Sequence, residues 1–258
     1  MAKVNVYNKD GTSKEQIELP KIFNTDFRPD LIKKSFNVMR SNSRQPYGAS
    51  PLAGTKHATA SVGKGRGQSR VPRLTQGRTA ALAPCVVGGR RAHPPKAERN
   101  WKEKINKKEK TMAKNSALAS AAQKEIVKKR GHIFNDKITL PVIIDESFNK
   151  IKKTSELIKA FEKIGISEDL DRAKNGKHIR AGRGKTRGRK YKTPKSILIV
   201  STEDSILKSS KNLIGVDAVK PKQLNINYLA PGGDPGRLLV FTKQALKEIG
   251  GAKWYGPL

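Results

Sequence analysis

The stretch Ser196-Ile197-Leu198-Ile199-Val200, followed at once by Ser201-Thr202-Glu203-Asp204, decides the fold. Four aliphatic residues in a row, bounded by polar ones, make a short run that is apolar on both faces. That is the pattern of a strand buried inside a sheet. Thr202-Glu203-Asp204 predicts a helix cap directly after it. The same unit recurs along the chain. Leu140-Pro141-Val142-Ile143-Ile144 reads as a second buried strand, and Thr154 or Ser155 is expected to cap the helix of Leu157, Ile158, Phe161 and Ile164, which Gly165 stops. Leu238-Leu239-Val240-Phe241 reads as another strand, with Thr242 capping a last helix through Ala245, Leu246 and Ile249 that Gly250-Gly251 closes. Val216 to Val219 is a weaker strand candidate.

Towards the N-terminus, residues 2–7 suggest a strand, Asn8-Lys9-Asp10-Gly11 a turn, and Gln16-Ile17-Glu18-Leu19 a returning strand. Pro29 sits where a first-turn proline is tolerated, and Leu31, Ile32, Phe36 and Met39 recur at helical spacing, so a helix is expected at about 29–41. Residues 98–110 read as a charged helical lead-in to a second helix near 113–129, marked by Met112, Leu118, Ala121, Ala122, Ile126 and Val127 and ended by Gly131. Ser167, with Glu168 and Asp169 where the helix dipole favours them, opens another short helix. Strands alternating with helices predict an α/β fold: a layered domain with a mainly parallel sheet flanked by helices. The domain would comprise residues 1–41 and 98–258. A long irregular basic loop, 42–97, would be inserted after the first helix, and 172–195 would form a second basic loop. No internal repeat is visible.

Charge supplies the functional reading. The chain of 258 residues carries 54 Lys and Arg against 22 Asp and Glu, a net charge of +32 with pI near 10.4. From Leu31 to Ala97 there is no carboxylate at all. Arg40, Arg44, Lys56, Lys64, Arg66, Arg70, Arg73, Arg78, Arg90, Arg91 and Lys96 run through that stretch among Gly, Ser, Pro and Gln. Glycines and prolines from Gly48 to Pro95 leave neither helical nor strand period. A long one-sign segment repels itself, and it makes physical sense against a polyanion, above all nucleic acid. Residues 172–195 repeat the pattern with Arg172, Lys174, Lys177, Arg180, Arg183, Lys185, Arg187, Arg189, Lys190 and Lys192. His93, next to Arg90 and Arg91, either contacts RNA or packs. Tyr191 either stacks on a base or packs. An aromatic content of 5% argues against sequence-tolerant base stacking as the main mode, and arginine-rich segments folding onto structured RNA fit better.

Several other chemistries find no support. Gly63-Lys64-Gly65-Arg66-Gly67 has Gln68 and no following helix, so it lacks the dinucleotide fingerprint. Gly184-Lys185-Thr186 resembles the end of a phosphate-binding loop, but Ile179 stands where its first glycine belongs. His57, His93, His132 and His178 have no metal-ligand spacing, the single Cys85 has no partner, and no serine sits in a nucleophile elbow. No metal, cofactor, catalytic residue or small-molecule substrate is therefore expected. Asp145 and Glu146 follow a strand, where helix capping or an ion pair with Lys150 accounts for them. The N-terminus shows no apolar signal core, and no segment approaches the roughly 20 apolar residues of a membrane span, so no membrane partner is expected. One cysteine fits a reducing, cytoplasmic setting.

The run Gly63-Lys64-Gly65-Arg66-Gly67-Gln68-Ser69-Arg70-Val71-Pro72-Arg73, and then Ala83-Pro84-Cys85-Val86-Val87-Gly88-Gly89-Arg90-Arg91-Ala92-His93-Pro94-Pro95, resembles the large-subunit ribosomal protein four family. The branch it resembles is the archaeal and eukaryotic one. Arg180-Ala181-Gly182-Arg183-Gly184-Lys185-Thr186-Arg187-Gly188-Arg189-Lys190-Tyr191 is similar to that branch's second basic loop. The alternation of strands and helices agrees, so the resemblance covers essentially the whole chain. It ends at Leu258 without the long basic tail of eukaryotic members, which points to an archaeal source. The resemblance implies an α/β domain on the outer face of the large ribosomal subunit, gripping ribosomal RNA beside neighbouring ribosomal proteins. It implies early binding during assembly, and a long loop that helps form the nascent-peptide exit tunnel. Arg66, Gln68, Arg70, Arg73 and Arg78, near the middle of the insertion, are the candidates for facing the tunnel and the passing peptide.

Two rivals belong to other classes. An RNA-modifying enzyme on a doubly wound sheet, such as a methyltransferase, would need a Gly-rich cofactor turn after the first strand, where this chain has Asn8-Lys9-Asp10-Gly11. A DNA-architectural protein would bind duplex DNA at least as well as folded ribosomal RNA.

Overall fold

A computed structural model describes residues 3–251, apart from the side chain of Lys14. Ala2 of the expected first strand and residues 252–258 of the expected domain lie outside the described residues. The backbone divides into two units, one formed by residues 1–40 with 104–258 and the other by 41–103.

The first unit is built on a six-stranded sheet. Its strands are β1 (Lys3–Tyr7), β2 (Ser13–Glu18), β5 (Val142–Ile144), β8 (Leu198–Val200), β9 (Asp217–Val219) and β10 (Leu239–Thr242), and their order across the sheet is β2-β1-β5-β10-β8-β9. The second unit holds β3 (Thr59–Ala60) and β4 (Arg73–Leu74), and β6 (His178–Ile179) and β7 (Tyr191–Lys192) make a small separate hairpin. Only the β1–β2 pair of the large sheet is antiparallel. The other neighbours run parallel, with Val6 opposite Ile143, Val240 opposite Val142, Leu239 opposite Leu198 and Leu198 opposite Asp217. The turn joining β1 to β2 is tight: Gly11 N–H donates to Asn8 O at 3.0 Å, and a Cβ on Gly11 would lie 2.4 Å from Lys163 O. It is a hairpin turn, as the sequence predicts.

Continuous apolar strands arise because both faces of the sheet are covered. Val4, Val6, Ile143, Leu198, Val200, Leu239 and Phe241 turn to one face, against Ile32 of α1 (Pro29–Asn42), Ala117 and Leu118 of α2 (Lys107–Ala122), Ile226 of α7 (Ile226–Leu229) and Ala245 and Ile249 of α8 (Lys243–Gly251). Val142, Ile144, Ile197, Ile199 and Val240 turn to the other, against Val127 of α3 (Lys124–Lys129), Leu157 and Phe161 of α4 (Thr154–Ile164) and Ile206 of α6 (Asp204–Ser210). Successive strand residues alternate between the two cores, as a pleated backbone requires.

Several elements depart from the sequence reading. The stretch near 113–129 is two helices, because α2 serves one core and Val127 of α3 the other. The chain bends between them at Gln123, which takes an extended backbone (ψ 112). The lead-in at 98–106 is not helical. Asn100 Oδ1 accepts the Lys102 N–H at 2.9 Å, and the Asn42 side chain bonds both the N–H and the carbonyl of Glu103, so polar side chains satisfy backbone groups that a helix would otherwise use. Thr154 is the first residue of α4 rather than its cap, and α6 likewise has no side-chain cap: Glu203 stands at its N-cap position, one residue after Thr202. Thr242 does cap α8, accepting the Ala245 N–H at 3.3 Å, while Gly250 and Gly251 lie within that helix. Gly165 ends α4 in the left-handed conformation, as expected. Asp145 pairs with Lys243 at 3.4 Å. Residues 172–195 begin inside α5 (Ser167–Asn175) and continue into the β6–β7 hairpin.

One buried polar network ties the sheet's edge to α5. Arg237 is wholly buried, pairs with Asp217 at 2.7 Å, and donates to the carbonyls of Ser196, Tyr228, Ile197 and Gly215. Asp169, also fully buried, accepts from Ser196 Oγ at 2.6 Å and Arg172 Nε at 2.8 Å and faces His132 Nδ1 at 3.1 Å. Burial alone would raise the Asp169 carboxyl. The hydrogen bonds from His132, Arg172 and Ser196 outweigh it and hold the group well below the usual carboxylate range. Burial pushes the His132 imidazole below its ordinary value although Asp169 pulls the other way, so the ring is neutral and donates its Nδ1–H.

Replacing Arg237 by Met removes the buried one of the two cations that pair with Asp217, which keeps Lys195 at 2.9 Å, and takes away the donors that Arg237 aims at four carbonyls. Urea unfolding should show a loss of about 3 kcal/mol. The depressed His132 value sets a pH window. Unfolded chains protonate this group through about pH 6.5 while the folded chain does not, so stability falls as pH drops below that value, by up to about 1.4 kcal/mol per pH unit. Chemical unfolding between pH 7 and 5 should show a shallower decline for His132→Asn than for the unchanged protein.

Candidate nucleic-acid interface

The candidate cations occupy two places. In the 41–103 unit, β3 and β4 pair antiparallel, with Thr59 opposite Leu74 and Ala60 opposite Arg73. The hairpin presents the span between them, which carries Lys64, Arg66, Gln68 and Arg70, all exposed. Gly63, Gly65 and Gly67 hold left-handed backbones (φ 76, 78 and 63) with open space around each. Glycine adopts that geometry without steric cost, so the alternating cations sit on a chain that turns sharply between them. Arg73 is half-buried and acts within the protein: its guanidinium donates to Arg78 O at 2.6 Å and Ser69 Oγ at 3.0 Å. Leu74 N–H donates to Thr79 O and Ala81 N–H to Pro72 O, adding a third segment alongside the hairpin that leaves Arg78 exposed.

Outgoing and returning chains of this unit lie against each other. Ala49 N–H donates to Pro95 O at 2.9 Å, and a Cβ on Gly48 would lie 2.4 Å from Ala97 N, so only glycine permits the approach. Arg44, Lys56, Arg90, Arg91, His93 and Lys96 are exposed along these chains, and Arg40 is exposed on α1. Cys85 is a free, exposed thiol. Among the described residues no group of His, Cys, Asp and Glu could hold a metal ion, and no helix is long and apolar enough to cross a membrane.

The β6–β7 hairpin carries the second set. Arg180 N–H bonds Lys190 O at 2.8 Å and Arg180 Nε bonds Arg189 O at 3.1 Å, so this half-buried arginine closes the hairpin. Arg183, Lys185, Arg187, Arg189, Lys190 and Lys192 remain exposed around a 3-10 turn over Arg183–Arg187. Lys174 and Lys177 are exposed nearby in sequence, and Lys177 Nζ lies 4.8 Å from the Tyr191 ring centroid. Arg172 differs from its neighbours. Held by Asp169 and donating to Lys195 O at 2.8 Å, it belongs to the buried network.

Sequence reasoning missed the concavity beside that network. A cavity of about 780 Å³ is walled by Phe27, Pro29 and Ile126 and edged by Lys129, Arg130, Arg172 and Lys195. Arg130 anchors one wall through Pro231 O and Pro235 O, and burial together with the nearby Arg237 charge pushes its guanidinium down to about 10. No local signal marks this place, since its cations come from segments that are far apart in the sequence.

Comparison with known proteins places the chain. The model of the ribosomal protein L4/L1 family matches residues 17–252. A protein of Archaeoglobus fulgidus named large ribosomal subunit protein uL4 is 47% identical over 249 residues, covering 96% of this chain and 98% of that protein. The proteins of the same name from Methanocaldococcus jannaschii and Thermoplasma acidophilum are 48% and 44% identical, each over 96% of this chain and 98% and 97% of their own lengths. A two-sided α/β sheet, two carboxylate-poor basic segments and this extent of identity agree: the chain belongs to the ribosomal protein L4/L1 family.

Proposed function

We propose that this chain is a structural protein of the large ribosomal subunit that binds and organises large-subunit ribosomal RNA in the cytoplasm, and that it is not an enzyme. Its relatives carry the name of a large-subunit protein, and its own surface chemistry suits RNA. The observation that carries the reading is the charge of the 41–103 unit, where twelve Lys and Arg face two Glu and almost all the cations are exposed. Such a surface lowers its own energy only by neutralising a polyanion, and each phosphate met releases counterions.

The finer reading rests on the family. The globular part, residues 1–41 and 98–258, supplies position. Residues 42–97 reach into the RNA, and 172–195 grip a second phosphate path. The tip around Arg66, Gln68, Arg70 and Arg78 contributes to the wall of the nascent-peptide tunnel, and binding comes early in subunit assembly. Neighbouring ribosomal proteins cover part of the remaining surface. Arg73, Arg172 and Arg180 act differently from the other candidates, because their guanidiniums already bond protein groups.

The test is the salt dependence of binding to large-subunit ribosomal RNA. With on the order of ten phosphate contacts the affinity should fall steeply, each contact contributing about 0.7 to 0.9 to the log–log slope. Arg66→Glu with Arg70→Glu should reduce that slope by about 1.4 to 1.8 and lower the yield of complete subunits or alter peptide-stalling responses. An unchanged slope, with normal subunits and normal stalling, would count against the reading. Stronger retention on duplex DNA than on ribosomal RNA in a competition assay would favour a DNA-architectural role instead.

A further inference from the structure

The 41–103 unit contains two aromatic rings besides histidine, Tyr47 and Trp101, and both line one cavity of about 540 Å³. Tyr47 is 64% exposed. The indole of Trp101 is clamped by cations, with Arg44 Cζ at 3.8 Å and Arg99 Cζ at 4.2 Å from its centroid. Arg99 also lines the cavity, so a guanidinium already stacked on an indole meets the open space. Pro94 and Pro95 stiffen the wall, and His93 beside them holds a left-handed backbone (φ 47). That conformation costs energy in a residue with a Cβ, and such cost is concentrated where a surrounding structure fixes a binding geometry.

One further group decides what enters. Glu98 lines the same cavity and is one of the unit's two carboxylates. Lys96 and Arg99 flank it in sequence, yet it forms no ion pair among the described residues. A carboxylate at this place repels phosphate and calls for N–H donors. The occupant therefore combines a flat π-system with adjacent donors along one edge. Among RNA bases only guanine offers two neighbouring donor groups, N1–H and N2–H, which match the two oxygens of a carboxylate. Base pairing consumes both, so the guanine must be unpaired, as in a bulge or loop.

We propose that this cavity binds an unpaired guanine of RNA, stacked against Tyr47 and the Arg99 guanidinium, with Glu98 accepting hydrogen bonds from N1–H and N2–H. The inference rests on the RNA-binding reading and adds a base-specific contact to the phosphate contacts. It is a single site, compatible with the chain's low aromatic content.

The test is titration of the full chain into fluorescein-labelled RNA duplexes that are identical except for a single bulged guanine, a single bulged adenine, or no bulge. The bulged guanine should bind about tenfold tighter than either of the others. Glu98→Gln should abolish the preference for guanine over adenine without weakening binding to the plain duplex, and Tyr47→Ala should weaken only the bulged forms. Both side chains are exposed, so neither change removes core packing. Equal affinity for all three RNAs overturns the site and leaves general RNA binding standing. Equal tightening by guanine and adenine, or a guanine preference that survives Glu98→Gln, overturns the assignment of the base. Binding to none of these RNAs or to ribosomal RNA overturns both readings.

Discussion

Like-charge repulsion within residues 41–103 is the constraint on which the rest depends. Twelve cations and two carboxylates share a unit whose described secondary structure beyond the end of α1 is two strands of two residues each. So little regular structure buries few side chains, and Ala81 is the one hydrophobic residue of this unit that is buried. What order there is comes from backbone contacts between paired segments and from arginines such as Arg73 that bond carbonyls within their own fold. Among the described residues no ion pair neutralises the remaining cations of this unit. A partner of opposite charge must supply that energy.

The first unit solves the opposite problem. Its sheet is covered on both faces and its few buried charges are matched, Arg237 with Asp217 and Asp169 with Arg172. On the proposed reading it serves as a base from which the basic segments meet RNA. The division of labour follows from composition: apolar runs where the chain must hold itself together, and one-sign polar runs where something else must hold it.

Much of the fold was legible because apolar runs such as Ile197–Val200 have a single economical use, as strands covered on both sides. The sheet, its helices and the N-terminal hairpin follow from that pattern and from turn residues such as Gly11 and Gly165. What escaped depends on partners that are far apart in the sequence. The non-helical 98–106 stretch is set partly by Asn42, and Glu203 rather than Thr202 takes the N-cap position of α6. The break at Gln123 carries no glycine or proline; it exists because two cores compete for one amphipathic stretch. Arg237 gave no hint of burial, since a lone arginine after a glycine looks like surface. At the candidate site the cations were legible one by one. Their sorting into exposed ones and carbonyl-bound ones such as Arg73, Arg172 and Arg180 was not, and neither was the meeting of Tyr47 with Trp101 in one cavity.

The most direct measurement is ultraviolet cross-linking of the protein in native cell lysate, with sequencing of the attached RNA and mapping of the attached peptides. Cross-links should concentrate on large-subunit ribosomal RNA, carried by peptides from residues 41–103 and 172–195. Cross-links scattered over many messenger RNAs, recovery mainly with DNA, or attachment confined to the globular part would contradict the proposed function.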